Sequence, residues 1–232
     1  MNLIRCGMKR CPLEFKAGLF EVLFLGATGF LLAACSSAGY HKGDAAALSV
    51  QNAAAEVHSE SQALETTLTA LKSLMEQPSA DLKQPLKNYS EALDRLIAAA
   101  DRTEATGNKM AQRSAEYLQS WEKEISTIEY EHIREVSQAR RTEVKSQCEA
   151  VNHRYADAQS VVRPMIGYLE DIRRALTSDL TEGGLEALRP VAQNAATNAD
   201  KVQTALAALV TALNDTGSKL SSSVTATAQA TQ

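Results

Sequence analysis

Cys35 follows Leu32-Ala33-Ala34 and is the side chain best placed for covalent chemistry. A thiol alkylated on sulfur gives a stable thioether, which no other nucleophile in this stretch would give. The small residues before it suit a peptidase pocket, with the cut between Ala34 and Cys35. A second arrangement is Glu129 and His132, a Glu-x-x-His spacing that puts a carboxylate and an imidazole on one helix face. Bundles that hold a metal pair need two such pairs and two further Glu. Glu149 stands four residues before His153, not three, so no second pair exists, and neither a metal nor a cofactor is expected. His58 is read as solvated and His41 as part of a tether. Cys148 falls on an apolar seam and is read as a buried, inert thiol. The Gly-rich GATG at 26–29 precedes Cys35, and no Gly-x-Ser-x-Gly elbow is present. Catalysis is not expected.

The elements around Cys35 explain its setting. Arg5, Lys9, Arg10 and Lys16 precede an apolar run from Val22 to Ala34. That run is shorter than the roughly 20 residues a helix needs to cross a bilayer. A basic start, a short apolar stretch and small residues at the end are the pattern of a secretory signal, here residues 1–34. Leu32-Ala33-Ala34-Cys35 resembles the lipobox of bacterial lipoproteins. The resemblance implies a diacylglyceryl group on the Cys35 sulfur and acylation, such as palmitate, on its amine. Two or three acyl chains hold a protein firmly where one does not. Ser36, not Asp, follows the cysteine, which in the Gram-negative lipoproteins it resembles implies the periplasmic face of the outer membrane. The competing reading is an uncleaved signal anchor with Cys35 a plain thiol.

Beyond residue 34 the chain carries 20 basic and 26 acidic side chains, a mild negative balance that gives no reason to expect nucleic acid. With Cys35 lipidated, Cys148 has no partner for an internal disulfide. Residues 35–44, ending SSAGYHKGD, are read as the lipidated Cys and a flexible tether. From Ala45 the apolar residues follow heptad ladders. The first runs Val50, Ala54, Val57, Ser61, Leu64, Leu68, Leu71, Met75, and Pro78 ends it. The second runs from Leu82 to Trp121 and then shifts to Ile125 and Ile128. The third runs Val144, Cys148, Val151, Tyr155, Ala158, Val162, Met165, Leu169, Ile172, Leu176, with Pro164 expected to kink it. The fourth runs from Leu185 to Leu213, and Pro190 is read as a candidate start for its helix. Helix three is expected to end near Thr181–Gly184. Residues 217–232 are read as a disordered Ser/Thr/Ala tail.

Four amphipathic helices with short connections predict an all-α, elongated antiparallel bundle over 45–216. The turn between helices two and three has no Gly or Pro and is placed at Tyr130–Ser137, where the seam loses register. Helices two and three are read as the longer pair, so residues 113–150 are expected to project as a two-helix coiled-coil hairpin on the side of the lipid. Its charged faces offer a possible interaction surface of Tyr117, Trp121, Arg134, Arg140, Arg141 and Lys145.

Trp121-Glu122-x-Glu124, then Arg140-Arg141, Tyr155, Pro164, Leu169 and Asp171, resemble a family of bacterial helical proteins known only as a domain of unknown function. The resemblance spans roughly 45–215 and implies a long-helix bundle without an established activity. The function expected is a lipid-anchored envelope protein with a structural or adaptor role, acting through an unidentified protein partner, with a homo-oligomer left open. The alternative is a protein that binds or perturbs a membrane surface through the hairpin, against which the lack of an apolar hairpin tip counts. A metal-binding bundle ranks below both.

Overall fold

The seams fold as four long helices. The structure is a computed structural model, and it describes residues 38–76 and 81–222. The segment read as a signal, Cys35, Pro78 and residues 223–232 lie outside them. The helices are α1, Ala38–Glu76; α2, Lys83–Ile125; α3, Glu131–Ser178; and α4, Glu182–Leu220. No strand occurs among the described residues. α1 packs on α2 and α4, and α3 packs on the same two, while the diagonal pairs keep their backbones apart. The result is an up-down-up-down bundle with every neighbour antiparallel.

The third ladder is buried at all ten rungs, from Val144 to Leu176. Leu64, Leu71 and Leu74 of α1 meet Leu93 and Leu96 of α2, Leu169 of α3, and Leu206 and Leu209 of α4 in one core. Each such leucine contributes about 2 kcal/mol by leaving water. The first ladder departs from its reading at two rungs, Leu68 and Ser61, both only partly buried. Ser61 is only half buried and bonds with Gln203, whereas its neighbour Glu60 is fully enclosed.

Cross-helix contacts fix one register along the α2–α3 pair. The Tyr89 hydroxyl donates to the Leu169 carbonyl at 2.7 Å, and the Tyr155 hydroxyl donates to the Thr103 carbonyl. Trp121 Nε1 donates to Ser137 Oγ at 3.1 Å. In all three pairs the residue numbers add to 258, so the pair is symmetric about Glu129. Arg163 bridges to Asp101 and Glu104, and Arg173 to Asp94, on the outside of the same seam.

Several expectations are corrected. The span read as a flexible tether is helical from Ala38 on, because Ala46, Ala47 and Val50 give it a buried face and Gly43 lets it close on the Tyr117 ring. The first residues of the span read as a tail from 217 on are ordered: Gly217 and Leu220 are buried in α4, and the Ser222 N–H donates to the Asp44 carboxylate at 3.0 Å. The α2–α3 turn is Ser126–Tyr130, ahead of the span Tyr130–Ser137. Ser126 and Thr127 close α2 there by donating to the Lys123 and Glu124 carbonyls.

Pro190 does not begin α4. Thr181 caps that helix by accepting from the Gly184 N–H at 3.1 Å, and Pro190 lies inside it. Nor do Gly183 and Gly184 end α3, which stops at Ser178; they form the first turn of α4. Gly184 is needed there because a Cβ would run into the Asp179 backbone. Pro164 is accommodated within one continuous α3.

The projecting hairpin is far shorter than 113–150. α1 reaches Tyr117 through Gly43, and Lys42 Nζ donates to Ser120 Oγ at 3.2 Å. Arg140 reaches the Lys219 carbonyl at the end of α4. Most of the supposed projection is therefore flanked by α1 or α4. The extra turns of α1 and α4 are the cause. By the α1–α2 register, Ala38 is level with about Glu122, leaving roughly one helical turn of α2 and of α3 beyond it.

Candidate functional site

The end of the bundle that holds the α2–α3 turn combines most of the residues singled out in the sequence. Tyr117 and Trp121 share a face of α2, with ring centroids 5.5 Å apart and tilted by 34°. Both are half buried against the core. Burial pushes the Tyr117 hydroxyl above its ordinary pKa. These rings brace α1 and α3 rather than stand free.

The basic residues are also engaged. Arg141 Nε donates to the Leu118 carbonyl at 3.0 Å, and its guanidinium pairs with Glu122 at 2.7 Å, leaving the side chain only 18% exposed. Arg134 donates to the Ile128 carbonyl and pairs with Glu131, holding the turn closed. Arg140 pairs with Glu143 at 2.6 Å, a hydrogen bond that holds the Glu143 carboxyl below its usual range. Lys145 pairs loosely with Glu149 at 3.7 Å on the surface. The structure thus brings these residues to one end but uses Trp121, Arg134 and Arg141 to build it.

What this end exposes is different. Tyr130 is 75% exposed, Ile133 56% and Val136 58%. Among the described residues, the other large apolar side chains left open are Tyr40 and Leu48, both in the first three turns of α1. All five therefore lie toward the same end, and the hairpin tip, read from the sequence as highly charged and without an apolar tip, exposes three large apolar side chains among Glu129, Glu131, His132 and Glu135. The signal was present. Continuing the α3 ladder backwards in steps of three and four puts Arg141, Ser137, Arg134 and Tyr130 on the seam. Ile133 and Val136 then fall off it, with nothing to cover them.

Glu129 and His132 sit exposed at the turn, and Glu149 and His153 are exposed along α3. Among the described residues no group of three or more His, Cys, Asp or Glu gathers as a metal site would require. No helix among them is long and apolar enough to cross a membrane. Cys148 is buried, and burial raises its thiol pKa, which leaves it poorly nucleophilic.

Two other features stand away from the hairpin. Glu60 is enclosed mid-bundle with neither carboxylate oxygen bonded and the Thr103 hydroxyl, also unbonded, nearby. Burial raises its pKa, opposed by Thr103 and by the Arg163 charge. The apolar space beside it, walled by Leu64, Leu96, Met165 and Leu206, has no room for a water molecule. At the opposite end from the hairpin, α1 and α4 part to leave an open groove of about 630 Å³, lined by Leu68, Leu71, Met75, Ala192 and Ala196.

Comparison with curated proteins and with solved structures gives no match. Residues 32–222 do match a family described as a protein of unknown function, DUF2959, and with most of its length covered the chain belongs to that family.

Proposed function

We propose that this protein is a lipid-anchored helical bundle of the cell envelope with a structural or adaptor role and no catalysis. Cys35 carries the anchor, on the periplasmic face of the outer membrane. The observation that supports this reading most is the coincidence of two features at one end. α1 begins there, three residues after Cys35, and the exposed large apolar side chains gather there. Three extended residues span about 10 Å, so an anchored Cys35 keeps that end of the bundle close to the bilayer.

The rest of the molecule then stands away from the membrane. A helix of α1's 39 residues is about 58 Å long. The groove between α1 and α4 lies at the far end, where a protein partner in the periplasm would be met. Its mix of apolar floor and Glu65, Lys72, Arg189 and Asp200 on the rim suits a protein segment better than a small charged substrate.

The test is metabolic labelling with palmitate in a Gram-negative host, comparing the parent with Cys35→Ser. The parent is expected to take up label and to sediment with the outer membrane, and the variant to lose the label. Equal labelling of both, or none in the parent, would overturn the anchor. Crosslinking in cells, with partner identification for parent and variant, tests the adaptor role.

A further inference from the structure

We propose that the hairpin end seats on the bilayer itself, with Tyr130, Ile133 and Val136 in the headgroup boundary. This rests on the anchored reading above and specifies what the exposed end touches. Three observations carry it. Tyr130, Ile133 and Val136 are each more than half exposed in the turn and the first turns of α3. Tyr40, 59% exposed, marks the start of α1 at the same end. The chain that leads back to Cys35 leaves from that start, so the end nearest the anchor is the end left uncovered.

The residue types fit a membrane boundary. Tyrosine presents an apolar ring and a polar tip, the combination favoured where lipid meets water. Ile133 and Val136 add aliphatic surface without a polar atom. The flanking charges fit a zwitterionic surface better than an anionic one. Glu129 and Glu131 bracket Tyr130, and Arg134 is already paired with Glu131. The seat therefore draws on apolar contact, and the acyl chains supply the local concentration that makes a small apolar patch effective. The bundle is held upright by two points, the lipid and the hairpin, in place of one.

The experiment uses the full chain purified from bacterial membranes and reconstituted at low density into phosphatidylcholine vesicles. Ile133→Cys carries an environment-sensitive fluorophore, and Lys109→Cys, on an exposed stretch of α2, carries the same dye as control. The parent chain, with Cys148 buried, sets the labelling background. The expected result is a blue shift and a several-fold intensity rise at position 133 on reconstitution. Spin-labelled lipid should quench it, and neither effect should appear at position 109. Adding phosphatidylglycerol should not enhance it. A water-like spectrum at position 133 in protein that floats with the vesicles overturns the proposal and leaves the anchor standing. Protein that fails to float overturns both. A shift that appears only at high protein density, without lipid quenching, assigns the surface to a second copy and overturns it too.

Discussion

Gly107 on α2 and Tyr155 on α3 occupy one space. A Cβ at Gly107 would clash with the edge of the Tyr155 ring, whose hydroxyl is committed to the Thr103 carbonyl one turn earlier on α2. Gly107, without a side chain, is thus where a large residue of α3 enters. Gly107→Ala should gain up to about 1 kcal/mol of helix propensity and lose about 1–3 kcal/mol to overpacking. The ring is buried and cannot swing out freely, so the net expectation is destabilisation. Urea denaturation followed by circular dichroism would show a lower midpoint. A midpoint at or above the parent's would mean that the ring moves aside at little cost.

Glu60 makes stability depend on pH in a direction opposite to most carboxylates. Its pKa is raised in the folded state by burial above the ordinary 4.5. The folded chain therefore holds the proton more tightly than the unfolded one. The contribution is fully present below about pH 4.5 and is lost as pH rises through the folded value. Glu60→Gln removes this titration and should flatten the profile above about pH 4.5. Above that pH the glutamine variant should be more stable than the parent, whose carboxylate is then charged and unpaired in the core. A variant with the parent's pH profile would place the titrating group elsewhere.

Arg141 and Arg140 are neighbours in sequence with different work to do. Arg141 is mostly buried, bonded to a carbonyl of α2 and paired across the seam with Glu122. Arg140 makes a more exposed pair within its own helix. Arg141→Ala should cost about 2 kcal/mol, from a lost charged hydrogen bond and the lost pair with Glu122. Arg140→Ala should cost less than about 1 kcal/mol. Hydrogen exchange would show faster opening over 118–141 for the first and little change for the second. Equal effects would contradict the bracing role.

Much of this was legible from spacing alone, and the misses have specific causes. α3 was read rung for rung because its seam is made of Val, Ile, Leu, Met and Tyr with no competing apolar stripe. Glu60 was missed because the ladder assigned that position to its small neighbour Ser61, and a charge beside a seam reads as solvated. The start of α1 was missed because Gly39, Gly43 and Lys42 resemble a tether. Gly43 is there for contact with Tyr117, which only the packed partner explains. The α2–α3 turn carries no Gly or Pro, so the remaining cue was seam register. That register runs through Arg134, Ser137 and Arg141 as polar rungs, which concealed its continuation and the exposure of Ile133 and Val136.

Cys148 offers a check on packing at the α2–α3 seam. It is buried, and its thiol is pushed up by that burial. Native protein should resist alkylation by iodoacetamide at neutral pH and react readily in denaturant. Non-reducing electrophoresis should show no disulfide-linked dimer through this residue. Prompt labelling of the native chain, or such a dimer, would mean that the seam opens there or that the bundle pairs with a second copy.

The tip should be removable without unfolding the bundle. Residues 124–134 lie beyond the level of Ala38, and Ile125 is the one large side chain among them that is buried. Joining Lys123 to Glu135 through a short Gly-containing turn keeps Trp121 on Ser137 and Arg141 on Glu122. It also keeps the register in which these helices meet. The loss expected is about 1.5–3 kcal/mol for the burial of Ile125. Partly offsetting it is the smaller entropy lost in ordering fewer residues. The shortened chain should unfold in one cooperative transition, with helix content lower only by the residues removed. A wider cut through Leu118 and Lys145 would take Ser120, Val144 and the Arg141 brace with it and should impair folding. If the narrow deletion alone abolished cooperative unfolding, the tip would be part of the bundle's core and the separation of a folding seam from an exposed end would fail.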